Sequence, residues 1–133
     1  MSRNAGFNES PVYTKTINIS QVAAVATGVF NSTANPFGRD VLITKAMVRV
    51  VTPSDGASTV DIGVAADATT ANDGLIDGLS LAAAGLFNNV EDPGTNGELT
   101  MVWGSTQYLN VAEASGDVAG LDEAYLIVEY TYL

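Results

Sequence analysis

Apolar and polar residues alternate with period two in segment after segment of this chain, and a turn signal breaks the alternation about every ten residues. In residues 59–67, Val60, Ile62, Val64 and Ala66 fall on one side and Thr59, Asp61, Gly63 and Ala65 on the other. Successive side chains of a strand point to opposite faces, so this pattern buries one face of a sheet and not one stripe of a helix. Residues 41–52 read the same way. Leu42, Ala46, Val48 and Val50 share a face, with Lys45 and Arg49 opposite. Between the two segments stands Pro53-Ser-Asp-Gly56. Proline fixes φ there and glycine tolerates a positive φ, so the two segments are expected to form a hairpin. Tyr13, Lys15, Ile17 and Ile19 alternate with Val12, Thr14, Thr16 and Asn18, as in a partly exposed strand. In residues 124–133, Leu126, Val128, Tyr130 and Tyr132 oppose Ile127 and Glu129, the pattern of a closing strand paired inside a sheet.

The remaining segments are less regular. Residues 21–30 are small and apolar and suit either a strand or a short helix. Residues 31–40 hold Asn35-Pro-Phe-Gly38 and read as a loop. Residues 68–81 contain Asp73-Gly74 and Asp77-Gly78 with Leu75, Ile76, Leu79 and Leu81. They read as a loop with one short helical turn. Residues 85–90 form a short strand, and 91–98 a wide turn with an Asn96-Gly97 hairpin signal. Strands over 99–103 and 108–114 flank Gly104-Ser-Thr106, and 115–122 is a turn. The expectation is an all-β fold of about seven or eight short strands, an antiparallel β-sandwich of jelly-roll type, with a small barrel as the alternative. Residues 1–11 are polar without periodicity and read as a flexible N-terminal arm, leaving 12–133 as a single β-sandwich domain.

Composition removes most catalytic chemistry. The chain has no cysteine and no histidine. A Ser-His-Asp triad, a thiol nucleophile and a zinc site built on His or Cys are therefore impossible. No P-loop, dinucleotide fingerprint or nucleophile elbow occurs. The carboxylate pairs Glu91–Asp92 and Asp122–Glu123 are sequence neighbours in turns, where acids serve solubility better than glycoside cleavage. Leu75 and Ala84 fall where an EF-hand loop needs acids. An irregular calcium site of Asp67, Asp73 and Asp77 is weaker than the reading of aspartate as a turn former. No enzyme activity, cofactor or metal is expected. No stretch nears the roughly 20 apolar residues of a membrane span, and the first residues lack the apolar core of a secretion signal.

The charge distribution is lopsided. The five bases, Arg3, Lys15, Arg39, Lys45 and Arg49, all lie in the first 49 positions, whereas every carboxylate except Glu9 and Asp40 follows them. The formal net charge is −10. Nucleic acid is thereby disfavoured, since binding it requires clustered bases to displace counterions. Adaptation to high salt is a second source of such a bias. The pattern suits a protein that shows an acidic face to water and docks elsewhere by a few bases. Trp103, Tyr130 and Tyr132 suit core or subunit-interface packing better than a sugar-stacking platform.

The whole pattern resembles the small all-β head decoration (cement) proteins of tailed bacteriophages. The likeness covers residues 40–133 and lies in the succession of segments, not in one motif. It takes in the strand over 41–51, the turn Pro53-Ser-Asp-Gly56 and Val60-Asp-Ile-Gly-Val-Ala-Ala66. The loop Asp73-Gly-Leu-Ile-Asp-Gly-Leu79 and the ending Tyr125-Leu-Ile-Val-Glu-Tyr-Thr-Tyr132 complete it. Richness in Ala, Gly and Thr, absence of Cys and His, and a short polar arm agree with it. The resemblance implies a homotrimer on the outer capsid surface of the virion, clamping neighbouring major capsid protein subunits, with the arm as an anchor. Arg3, Lys15, Arg39, Lys45 and Arg49 are then the expected capsid contacts. A tail, fibre or spike subunit and a carbohydrate-binding or adhesin-like sandwich are the alternatives.

Overall fold

The computed structural model describes residues 11–21 and 28–133. The expected arm, with Arg3, and most of segment 21–30 lie outside the described residues. Nine strands and no helix are found among those described: β1 (Tyr13–Asn18), β2 (Gly28–Ala34), β3 (Val41–Thr52), β4 (Ser58–Ala65), β5 (Ile76–Ser80), β6 (Gly85–Asn88), β7 (Met101–Trp103), β8 (Tyr108–Gly116) and β9 (Glu123–Tyr132). They form two antiparallel sheets. The first has the order β1-β9-β3-β6, with β7 also on β3; the second has the order β2-β8-β4-β5. The sheets share one hydrophobic cluster, in the manner of a β-sandwich.

The long central strands follow directly from the alternation. β3 matches the expected bounds, and β9 pairs with it over almost its whole length while β1 pairs with the other edge of β9. One detail of β3 departs from simple parity. The pairing slips between Ile43 and Lys45. Val41 and Ile43 therefore face the core with Ala46, Val48 and Val50, and Leu42 stands on the outer side, not with Ala46 as the alternation suggests. An extra residue in one strand shifts the side-chain parity of all that follows.

The hairpin expected at Pro53-Ser-Asp-Gly56 is not formed. β3 belongs to the first sheet and β4 to the second, so the turn carries the chain across the core. The crossing is held by the buried Ser54. Its N–H donates to the Leu81 carbonyl (3.1 Å), and its Oγ lies 3.0 Å from Ser58 Oγ. Turn chemistry reverses the chain whether the next strand pairs beside the last or crosses over it. Within β4, Val60, Ile62 and Val64 face the core as expected, but the strand ends at Ala65 and Ala66 is exposed. Gly63 is buried on the outer side beneath the loop 66–74. A Cβ there would collide with the Asn72 side chain. The same loop is fastened by the buried Asn110, whose Nδ2 donates to the carbonyls of Asp67 and Thr70 (2.9 Å each) and whose Oδ1 accepts from Ser32 Oγ (2.6 Å).

Three further expectations are corrected by pairing partners distant in sequence. Residues 31–34, read as loop, complete β2 against β8. Residues 76–80, read as part of a helical turn, form β5 against β4. Leu75, Ile76 and Leu79 are buried at a helix-like spacing because the pairing slips between Val60 and Ile62 and Gly78 takes a positive φ of 77°. The Asn96-Gly97 signal does not make a hairpin. β6 and β7 do not pair with each other; both lie along the same edge of β3, as two pieces of one interrupted strand. Asn89 fills the break. Its N–H donates to the Ala46 carbonyl, its Oδ1 accepts from the Ala46 N–H (3.0 Å each), and its Nδ2 donates to the carbonyls of Glu98 and Leu99 (2.8 and 3.1 Å).

Asn89→Ala removes the partner of one buried backbone group, the Ala46 N–H, and of two part-buried carbonyls, those of Glu98 and Leu99. It is expected to cost about 1–3 kcal/mol, the penalty of one unmet buried group, since the two carbonyls belong to exposed residues. Urea unfolding of the variant beside the exposed change Asn96→Ala measures the difference. Equal midpoints for the two would refute the role of Asn89.

Candidate docking surfaces

Five aromatic rings meet at the end of the sandwich where β1 begins and β9 finishes. Tyr13 stacks on Tyr130 (ring centroids 5.7 Å apart) because the two are paired across β1 and β9. Phe37 packs on Tyr130 at 4.4 Å and edge-on against Trp103 at 5.6 Å. Tyr132 touches Tyr13, Phe37 and Tyr130 at 5.3–6.0 Å. Trp103 is fully buried and its Nε1–H donates to the Gln107 carbonyl. Tyr130 is nearly buried, while Tyr132 and Tyr13 remain 37% and 40% exposed. The cluster thus has a packed base and an open rim. Desolvation, and then the neighbouring Tyr132, push the Tyr130 hydroxyl above its ordinary pKa.

Asn35 builds the loop that brings Phe37 and Arg39 here. Its Oδ1 accepts the Phe37 N–H, and its Nδ2 donates to the carbonyls of Arg39, Trp103 and Gly104. The Arg39 guanidinium then sits 4.9 Å from the Tyr132 ring centre and donates to the Leu133 carbonyl (2.7 Å). Such a cation–π contact contributes about 0.5–1 kcal/mol at an exposed site.

The outer face of the first sheet is the second surface. Lys45, Met47 and Arg49 of β3 stand opposite Glu129, Ile127 and Tyr125 of β9, with Asn88 and Leu86 of β6 beyond Met47 and Arg49. The structure therefore groups Lys45 with Arg49 and places Arg39 at the aromatic end. It separates Lys15 from them. Lys15 pairs with Val128 and lies on the core-facing side of β1, between Tyr13 and Ile17. Trp103, Tyr130 and Tyr132 do come together, joined by Tyr13 and Phe37, which the sequence pattern does not single out. The Asn35-Pro-Phe-Gly38 turn is legible in the sequence, but what Phe37 touches is not.

One asymmetry unites both surfaces. Every described Lys and Arg lies on the first sheet or on the loop leading into it, and β2, β4, β5 and β8 carry none. The exposed large hydrophobic residues follow the same division: Tyr13, Leu86, Val102 and Tyr132 on strands of the first sheet, Val12 and Leu133 at its ends, and Val90 and Leu99 between β6 and β7. The described bases stay together after folding because β1 and β3 fall in the same sheet, where β9 adds Glu123 and Glu129 between them.

The second sheet carries an acidic group instead. Asp61 Oδ1 accepts the Gly78 N–H (2.9 Å), while Asn96 donates its N–H to Asp77 and its Nδ2 to Asp73. Asp77 also lines a shallow depression of about 350 Å³ with Leu79, Phe87 and Asp92. The sequence suggests Asp67 as a companion of Asp73 and Asp77, yet Asp67 is committed to its own turn. Its Oδ1 accepts from the N–H and hydroxyl groups of Thr69 and Thr70, which lowers its pKa. Among the described residues no three acids are arranged to hold a metal ion. Comparison of the chain with family models, curated proteins and solved structures finds no match.

Burial, followed by the charges of Asp77 and Asp73, raises the pKa of Asp61, against the lowering effect of the Gly78 N–H. A pKa higher in the folded than in the unfolded state means that folding favours the protonated form. The stabilisation is full below the ordinary carboxylate range and is lost as pH rises through the raised value. Asp61→Asn, which keeps an acceptor for Gly78, should therefore equal or exceed the parent in thermal stability at pH 7. Its advantage should shrink as pH is lowered toward 4. Thermal melts of both proteins across this window check the sign, and an advantage that grows on acidification would contradict it.

Proposed function

We propose that this protein is a head decoration (cement) protein of a tailed bacteriophage, seated on the outer capsid surface through its first sheet and stabilising contacts between major capsid subunits. The observation that carries the reading is the concentration of all described bases and exposed large hydrophobic residues on that sheet or on the segments that adjoin it, in a chain of net charge −10. Apolar area supplies affinity, bases select an acidic surface, and the acidic second sheet stays in water. An exposed ion pair contributes only about 0–1 kcal/mol, so retention on a shell rests on apolar burial and on several copies of the chain acting together. A homotrimer, of about 41 kDa for three chains of 13.7 kDa, meets that need.

The reading includes jelly-roll topology, and the order of strand pairing supports it. Folded back on itself at the loop 66–75, the chain pairs β4 with β5, β3 with β6 and β7, β2 with β8, and β1 with β9. The pairs β3–β9 and β4–β8 then join these ribbons into two sheets. This is how a doubled ribbon rolls into eight strands, counting β6 and β7 as one. Capsid and lectin domains both use such rolls, so topology alone does not choose between them.

An antibody raised against the purified chain, applied to particles of the encoding phage under the electron microscope, is expected to label the head surface. Label on the tail or fibres would replace this reading with a tail or spike subunit, and unlabelled particles would overturn both. Lys45→Glu combined with Arg49→Glu should reduce head occupancy at least tenfold while leaving the melting temperature within a few degrees. Unchanged occupancy would remove the first sheet from the interface.

A further inference from the structure

A sandwich has four sheet edges, and three of these are spoiled for pairing. β2 slips against β8 between Val29 and Asn31. β5 slips against β4 and contains the positive-φ Gly78 beside Asp77. The β6–β7 edge is interrupted by residues 89–100. Bulges, kinks and short pieces all prevent a foreign strand from adding to an edge. β1 has none of these defects. It pairs with β9 through six consecutive residues without a slip, and among the described residues no strand covers its other side; only the Asn18 carbonyl, at its end, is taken, by Asn31 Nδ2 (3.1 Å). Thr14, Thr16 and Asn18 on its outward face are uncharged and exposed.

Its one distinctive residue is Lys15. The side chain is half-buried on the core-facing side, flanked by Tyr13 and the buried Ile17, with the buried Val128 across the pair. No hydrogen bond or ion pair with another described residue holds it. At an open edge the ammonium group reaches water past the rim while its methylene stem covers apolar surface. A strand added to β1 would close that exit and strand the charge among Tyr13, Ile17 and Val128, which is costly without a partner. In an antiparallel pair of two β1 strands centred on this residue, the two lysines would also face each other, and like charges directly opposite destabilise a sheet.

We propose that Lys15 is a guard residue: the β1 edge is competent to pair with β1 of a second copy, and the inward charge of Lys15 prevents it. This assigns Lys15 a role apart from the docking bases Arg39, Lys45 and Arg49, and it stands whether or not the chain decorates a capsid.

The test compares the parent with Lys15→Val, Lys15→Thr and Lys15→Glu by light scattering at about 10 and 100 µM, and follows hydrogen exchange of the β1 amides. Lys15→Val and Lys15→Thr are expected to approach twice the parent mass at the higher concentration, with slower exchange of the edge-facing amides of Thr14, Thr16 and Asn18. Lys15→Glu should keep the parent mass, because the inward charge remains and repels its copy. Parent mass for both neutral variants, with native circular dichroism, overturns the proposal. So does association that leaves β1 exchange unchanged, and so does association of Lys15→Glu equal to that of Lys15→Val. If Lys15→Val fails to fold, the smaller Lys15→Thr decides by the same criteria.

Discussion

The pairing of β3 with β9 is the interaction on which the rest of this structure depends. These are the two longest strands, one from each half of the chain. Their inner faces supply Val41, Ile43, Ala46, Val48 and Val50 on one side and Ala124, Leu126, Val128 and Tyr130 on the other. Once they are joined, β1, β6 and β7 can only add to the free edges. The second sheet must then cover the exposed apolar face with Val60, Ile62, Val64, Leu109 and Val111. Most of this stabilisation is apolar burial, at about 25 cal/mol per Å² removed from water. The slip after Ile43 matters for the same reason. Without it, half of β3 would turn its apolar residues to solvent.

Asparagine does the complementary polar work. Asn35, Asn89 and Asn110 each carry both a donor and an acceptor amide group into a place where the backbone leaves its ladder. Each donates to carbonyls of an irregular segment: the loop before β3, the break between β6 and β7, and the loop over Gly63. A chain without cysteine thus fastens its long loops with amide side chains. Loops so held are shaped segments rather than slack connections, which is how Phe37 and Arg39 come to rest on the aromatic end.

The two sheets present different chemistry to their surroundings. The first shows bases beside Glu123 and Glu129, with exposed tyrosines and aliphatic side chains. The second shows Asp61, Asp73 and Asp77 under a cover of polar loops. The molecule carries a strong negative charge overall, and its described bases are gathered on or beside the first sheet. Lys15 belongs to neither group, although it lies on the first sheet, because its position on the inner side of an edge gives its charge a different consequence.

The all-β class, the position of β3 and β9, and most of the core were legible in the sequence, because a period of two has only one structural solution when one face is buried. The alternation marked Val48, Val60, Ile62, Leu126 and Val128, and these are core residues. The chain also determined by itself that its bases would be few and confined to its first 49 positions. Only the tertiary structure decided which strands pair. Pro53-Ser-Asp-Gly56 reverses the chain equally well in a hairpin and in a crossing over the core. Asn31–Ala34 has weak strand propensity and is a strand because β8 lies beside it. Leu75, Ile76 and Leu79 match a helical spacing, yet Ile76 and Leu79 belong to a slipped strand because Ile62 and Val60 are opposite, and Leu75 directly precedes it. The aromatic end was equally hidden, since Tyr13, Phe37, Trp103, Tyr130 and Tyr132 are far apart in the chain and meet only when β1, β7 and β9 have found their places. Local alternation is a property of neighbours, which sequence records; pairing is a choice among distant segments, and the free energy that makes it belongs to the assembled core.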